Sequence, residues 1–288
     1  MRIHVTGGRG FLGRFLVPAL AASHEVEVSD LASLDVTDAD GCVRRFEASR
    51  PDLVLHLAAL CGARPSVEDP SRFFAVNAQG TVHVLEACRR AGVPRFLFTS
   101  SLTVFGAGEE ERTEDSPFAP RHPYAAAKVG AEFAVRQYTR QYGLAALILR
   151  PTLVVGEGYK EPHAIGDFVQ TALRGGVIEI FGSGDHRRDF VHPLDVAAAT
   201  VKAVDWLASA PPGAVESVNV SNGEAPRMHD LAEAIVATLG RGTVRFVPAT
   251  NQTFSLYTSI RRAKELLGWS PSIPNADMVR RLSEQEGT

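Results

Sequence analysis

The chain has 288 residues, 45% hydrophobic and 22% charged, with 25 Gly and 17 Pro, enough to bury one large core or two modest ones. Thirty basic residues face thirty-three acidic ones, and a net charge of −3 without any basic run excludes an electrostatic nucleic-acid binder. Three cysteines (Cys42, Cys61, Cys88) lie in apolar sequence without CxxC spacing, which argues against a disulfide framework and against a metal site. The opening Met1-Arg2-Ile3-His4-Val5 already reads as a strand, so no cleaved signal is expected. No apolar run approaches the ~20 residues of a membrane span. The expectation is a soluble cytoplasmic protein that engages neither nucleic acid nor membrane.

In chain order, apolar strands are expected at 3–5, 26–28, 53–57, 95–99 and 145–149. Helical spacing falls between them at 10–20, 40–49, 72–91 (one long stretch) and 124–142. Strands alternating with helices predict an α/β fold, a doubly wound parallel sheet covered on both faces. Beyond Arg150-Pro151 the alternation breaks into Gly-, Pro- and polar-rich segments such as GEGYKEPHAIG and FGSGDHRRDF. Short helices are expected at 228–239 and 260–267, and a helix over 193–208 returns to the first unit. The predicted division is a dinucleotide-binding domain over 1–155 plus about 191–212. A smaller lobe takes 156–190 and 213–288.

The first strand runs straight into Thr6-Gly7-Gly8-Arg9-Gly10-Phe11-Leu12-Gly13. Strand, glycine loop and helix in that order build a pyrophosphate site, because glycine admits close approach and the helix start offers N–H groups. Asp30 closes the second strand, 17 residues after Gly13. A carboxylate there accepts from a ribose and repels a 2′-phosphate, and no Arg or Lys follows it closely, so NAD is expected over NADP. A solvated or capping Asp is the plainer alternative. Asp35-Val36 is read as a third strand end framing an adenine. Tyr124 and Lys128 stand i, i+4 on one helical face, where the ammonium is expected to lower the phenol's pKa toward working pH. Such a phenol exchanges a proton with a substrate hydroxyl. Ser100-Ser101, after the strand RFLFT, and Thr103 place hydroxyls at the same sheet edge, unless they only cap a turn.

Together these residues resemble the extended short-chain dehydrogenase/reductase family, its NAD-dependent epimerase/dehydratase group. TGGRGFLG is similar to the family's TGxxGxxG loop, HLAAL (56–60) to its cofactor-lining strand, and FTSSLTVFG (98–106) to its serine segment. SVEDP (66–70) and FFAVNAQGT (73–81) resemble its next helix, RRDFVHPLDVA (187–197) its RDFxxVxDVA, and RRAKELLGW (261–269) its terminal segment. The resemblance implies a Rossmann-type domain with Ser101, Thr103, Tyr124 and Lys128 as catalytic residues. It implies cofactor contacts from Gly7, Gly10, Phe11, Leu12, Asp30, Asp35, Val36, Leu57, Ala58, Ala59, Asn77, Ser100, Tyr124, Lys128 and Pro151. On the substrate side it implies Ser101, Thr103, Tyr124, Thr152, Phe181 and Arg188, with a nucleotide sugar as the small-molecule partner and a homodimer as the assembly.

Departures from the family shape the expectation. The Asp-Glu pair of its dehydratases is replaced by Leu102 and Thr103, which disfavours elimination of water. Its substrate-side asparagine is Leu153, and its arginine-rich stretch before the final helix is reduced to Arg245 in RFVPATNQTFSLY. The expected activity is a UDP-glucose 4-epimerase-like reaction, with a sugar dehydrogenase or ketoreductase as the alternative. A non-catalytic nucleotide sensor is the reading from a different class. Arg188 either holds a substrate diphosphate or pairs with Asp189 or Asp195.

Overall fold

The computed structural model describes residues 1–159, 163–249 and 253–286, so parts of GEGYKEPHAIG and RFVPATNQTFSLY lie outside the described residues. Strand β1 (Arg2–Thr6) leads through the glycine loop into α1 (Gly13–Ala21), followed by β2 (Glu25–Ser29), α2 (Ala39–Ser49) and β3 (Leu53–His56). Then come α3 (Ala63–Glu68), α4 (Pro70–Phe74), α5 (Gly80–Ala91), β4 (Arg95–Thr99), α6 (Pro123–Tyr142) and β5 (Ala145–Pro151). The single helix expected over 72–91 is interrupted. A wider π turn spans Ala75–Gln79, where the Asn77 amide turns aside to bond the Leu60 backbone in both directions, at 2.8 and 2.9 Å.

All pairings in the main sheet are parallel, in the order β2-β1-β3-β4-β5-β9. Strand β9 (Val215–Val220) was expected in the smaller lobe; it pairs with β5 instead, from Ala146–Val215 to Pro151–Val220. Helix α8 (Pro193–Ser209) packs over the sheet beside α1 and precedes that strand. Helix α10 (Arg261–Leu267) and Trp269 also join the sheet's core, beside Leu16, Val204 and Val218. The physical reason is apolar burial: Val218, Val220, Ala263 and Trp269 fill the face that α1 and α8 leave open. The opposite face is closed by α2, α5 and α6 around Phe46, Val84, Phe96 and Val135.

A third core builds the lobe from α7 (Ala164–Leu173), β7 (Val177–Phe181), α9 (Met228–Leu239) and α11 (Asn275–Glu286), with β10 (Thr243–Val247) pairing β7. Two short strands, β6 (Leu153–Val154) and β8 (Phe190–Val191), stitch it to the sheet. Beside that seam Asp189 is buried, with Oδ2 accepting from Thr258 N at 3.3 Å and Oδ1 lacking a partner. Burial pushes its carboxyl up to about 7, against hydrogen bonds from Ser221 and Thr258 that pull it down. Among the described residues no helix is long and apolar enough to cross a membrane.

Because the folded carboxyl titrates above its unfolded value, its contribution to stability is full below about pH 4 and lost as pH rises through 7. The Asp189→Asn protein should therefore gain on the parent by about 2–3 kcal/mol between pH 5 and pH 8. Urea unfolding at both pH values measures this, and a difference independent of pH would refute it.

Candidate active site

The glycine loop has no room for side chains where backbones meet. Gly7 has φ +69°, and a Cβ there would stand 2.7 Å from the Ala58 backbone; a Cβ on Gly13 would stand 2.0 Å from Gly8 O. Helix α1 follows Leu12 without a side-chain cap; Arg14 and Phe15 N–H already bond Gly10 O and Leu12 O at 3.3 and 3.0 Å, so an outside acceptor would be met by the N–H groups before them. Gly10 and Phe11 complete this turn. Leu57 and Ala58 bond back to Thr6 through their N–H groups, at 3.1 and 3.4 Å, so the β1 and β3 ends form one wall with Ala59 and Leu60 beyond.

Asp30 follows β2, with its carboxylate accepting from Ser33 N and Oγ and held low chiefly by that hydroxyl. A cation does stand beside it: Arg9 of the glycine loop comes within 3.4 Å, brought there by the fold rather than by a following position. Asp35 and Val36 are not at a strand end. Asp35 accepts from Thr37 N and Oγ1, both at 2.8 Å, in the turn that precedes α2, and Val36 is buried against Gly80. Their local sequence is a side-chain turn, which overrides the strand reading.

Helix α6 is capped by His122, whose Nδ1 accepts from Ala125 N at 3.2 Å, with Pro123 at its start. Tyr124 stands in its first turn, its ring against His122 and Phe73. The phenol is hydrogen-bonded to Ser101 and also to the thiol of Cys61. Thr103 Oγ1 donates to Ser101 Oγ at 3.0 Å. The sheet edge thus joins Ser101, Thr103 and Tyr124. Lys128 lies one turn on, buried, donating from Nζ to Thr99 O at 2.8 Å over the Phe98 ring.

The expected depression of the Tyr124 pKa is not what this arrangement gives. Burial pushes the phenol well above its ordinary value, with the Ser101 hydroxyl pulling the other way. Burial likewise brings the Lys128 ammonium down to about 8, so both partners have lost water and neither gains a full counter-charge. His56 beneath them stays neutral, pushed to about 3 by burial and by Lys128, and shares hydrogen bonds with Thr6 (2.7 Å) and Thr81 (3.1 Å).

Several residues expected to meet a ligand also make bonds within the protein. Ser100 Oγ donates to Glu132 at 2.6 Å, Thr152 Oγ1 donates to Asp189 O at 2.7 Å, and the Asn77 amide is engaged by Leu60. Pro151 ends β5 beside Val220. Phe181 ends β7 exposed. The pairing of Arg188 with Asp189 or Asp195 is not formed. Asp195 accepts from Ser272 and Ile273, whereas the Arg188 guanidinium stacks on Phe254, 4.1 Å from the ring centroid.

Two residues escaped the sequence reading. Glu132 continues the Tyr124–Lys128 face by one turn and accepts two bonds from Arg150, at 2.9 and 2.6 Å, both side chains being fully buried. An arginine inside the apolar strand LILR was the available signal, since a buried charge demands a partner. Cys61, read as apolar, is exposed beside the phenol. Glu132→Gln would leave Arg150 charged and unpaired, and the expected loss is about 3–5 kcal/mol of stability, read by denaturant unfolding.

The residues fit a dinucleotide: a side-chain-free cradle, an uncapped helix start and a carboxylate at the β2 end. Residues 3–220 match the model of the NAD dependent epimerase/dehydratase family. The chain is 32% identical to a UDP-glucose 4-epimerase of Mycolicibacterium smegmatis, over 99% of this chain and 98% of that protein. The structure is similar to the UDP-glucose 4-epimerase of Thermus thermophilus in complex with NAD, with TM-score 0.83 and 30% identity over 99% and 98% of the two chains. It is also similar to that of Thermotoga maritima with UDP-glucose, with TM-score 0.86 and 28% identity over 100% and 99%. The chain therefore belongs to the NAD-dependent epimerase/dehydratase family and is one of its NAD-dependent enzymes.

Proposed function

We propose that this enzyme inverts C4 of a nucleoside-diphosphate sugar of the UDP-glucose kind. The observation that carries the reading is the hydrogen-bonded Ser101–Tyr124 pair with Lys128 one helical turn away. Tyr124 takes the proton of the C4 hydroxyl and later returns one, while Ser101, oriented by Thr103, holds the same oxygen. Bound NAD supplies the acceptor and then the donor of the C4 hydride. Lys128 keeps a positive charge beside the oxygen where negative charge develops. Leu102 and Thr103 offer no carboxylate for eliminating water, which favours epimerisation over dehydration.

An epimerase has to keep its cofactor, and the second lobe reaches back over the glycine loop. Tyr159 packs on Phe11 with ring centroids 5.0 Å apart, and Arg14 of α1 donates to the carbonyls of Glu157 and Gly158. This closure supports retention. The alternative, net redox on a sugar without a nucleotide, is favoured by Leu153, exposed where a polar substrate contact was expected. A cytoplasmic homodimer belongs to the same proposal; exposed Phe133 and Tyr142 on α6 support the assembly.

Incubation with UDP-glucose and UDP-galactose, following epimer formation and NAD reduction together, tests the reading. Epimer without net reduction is expected, and Tyr124→Phe should lower turnover by at least ~100-fold with NAD content unchanged. Full activity in that variant would overturn the mechanism. UDP should compete with substrate, and Arg188→Ala should weaken UDP binding by roughly 1.5–3 kcal/mol, the range for a hydrogen bond to a charged group. If UDP does not bind the NAD-loaded protein, the redox alternative replaces the epimerase.

A further inference from the structure

Two arginines from distant parts of the chain meet on one ring. The guanidinium carbon of Arg188 lies 4.1 Å from the Phe254 centroid and that of Arg121 lies 4.8 Å from it. Together these distances bound the separation of the two guanidinium carbons at about 9 Å. Stacking on an aromatic face explains how each is held, but it leaves both charges in place. Among the described residues, no carboxylate comes within 4.0 Å of either guanidinium. Burial brings Arg188 down to about 10, and its charge also depresses His186. Glu109 acts on His186 in the other direction, but its carboxylate already accepts from Ser255 Oγ at 3.0 Å.

Arg188 is half-buried and Arg121 is exposed on the same ring; two like charges this close repel each other, and an anion between them turns that repulsion into attraction. Arg121 lies in the segment that leads into α6, three positions before Tyr124. Arg121 precedes His122, whose ring stacks on Tyr124 with centroids 5.9 Å apart. Two polar features of the family are missing from this chain: Leu153 stands for an asparagine, and the stretch that usually carries arginines offers Phe254.

We propose that Arg121 is a second diphosphate-binding residue, acting with Arg188 on the pyrophosphate of the nucleotide sugar while Phe254 supports both. This rests on the nucleotide-sugar reading above, and the test separates the two. UMP and UDP are titrated into NAD-loaded protein, parent and variants, by calorimetry. The variants are Arg121→Ala and Arg121→Met; methionine keeps an apolar stem on Phe254 without the charge. Both should weaken UDP roughly tenfold or more, weaken UMP less, and lower the salt sensitivity of UDP binding, with melting temperature and NAD content as in the parent. Unchanged UDP affinity in both variants, with Arg188→Ala still impaired, would show that Arg121 merely packs. Recovery of UDP affinity by methionine alone would likewise reduce Arg121 to a packing role. A loss seen with UDP-glucuronate and absent with UDP would assign the guanidinium to the sugar and overturn the proposal. Failure of UDP to bind the parent protein would instead remove the nucleotide-sugar reading on which the proposal stands.

Discussion

The buried Arg150–Glu132 pair sets the geometry from which the site is built. Glu132 projects from α6, one turn beyond Lys128 and two beyond Tyr124, so whatever fixes Glu132 fixes the rotation of that helix about its axis. It is fixed from two strands at once: Arg150 at the end of β5 gives it two bonds, and Ser100 at the end of β4 gives a third. The guanidinium is held in turn by Glu114 O at 3.0 Å and by the faces of Phe105 and Phe118. A buried ion pair is weak evidence for net stability, because desolvation offsets attraction. Its value here is registration. An apolar pair of similar volume would fill the space, but it would set no unique rotation for the phenol and the ammonium above it.

The same dryness governs the charge states. Lys128, His56 and Tyr124 share a region where each ionised form has lost its hydration, and they respond in the directions that desolvation dictates. His56 gives up its proton affinity and serves as a neutral link between β1, β3 and α5. Lys128 remains the cation of the group, favoured by the Glu132 carboxylate. The phenol is held protonated in the resting arrangement. In the proposed reaction the phenol must lose its own proton before it takes one from the substrate, and the positive charges that would favour that loss are Lys128 and the nicotinamide of bound NAD.

Local chemistry was legible and long-range pairing was not. The glycine loop and the Tyr124–Lys128 face depend on spacings of a few residues, which sequence displays directly. The Arg9–Asp30 pair was invisible because the cation precedes the carboxylate by twenty-one positions and returns through the fold. Strand β9 went unread because 215–220 lie in the Gly-, Pro- and polar-rich range 213–288 given to the lobe, and six residues say nothing of which sheet they join. Asn77 and Ser100 were expected beside the cofactor; the bonds their side chains make to Leu60 and Glu132 carried no sequence signal. Cys61 and Arg121 carried no spacing signal at all; their significance comes from the side chains that surround them.

The lobe explains how chemistry and recognition are kept apart on one scaffold. Its core is separate from those of the sheet, yet polar bonds tie it down around the start of α8. Asp195 accepts from Ser272 and Ile273, His192 bonds Glu157 at 3.0 Å, and Thr152 bonds the Asp189 carbonyl. Such bonds fix distance and orientation better than apolar packing, which tolerates sliding. The residues proposed to exchange the proton stand just after β4 and on α6, whereas Arg188 and Phe254 stand on lobe-side segments. Arg121, in the loop that runs into α6, connects the two sets. In the proposed arrangement, changes in the lobe would alter sugar selection without disturbing the rotation of α6 that Arg150 and Glu132 maintain.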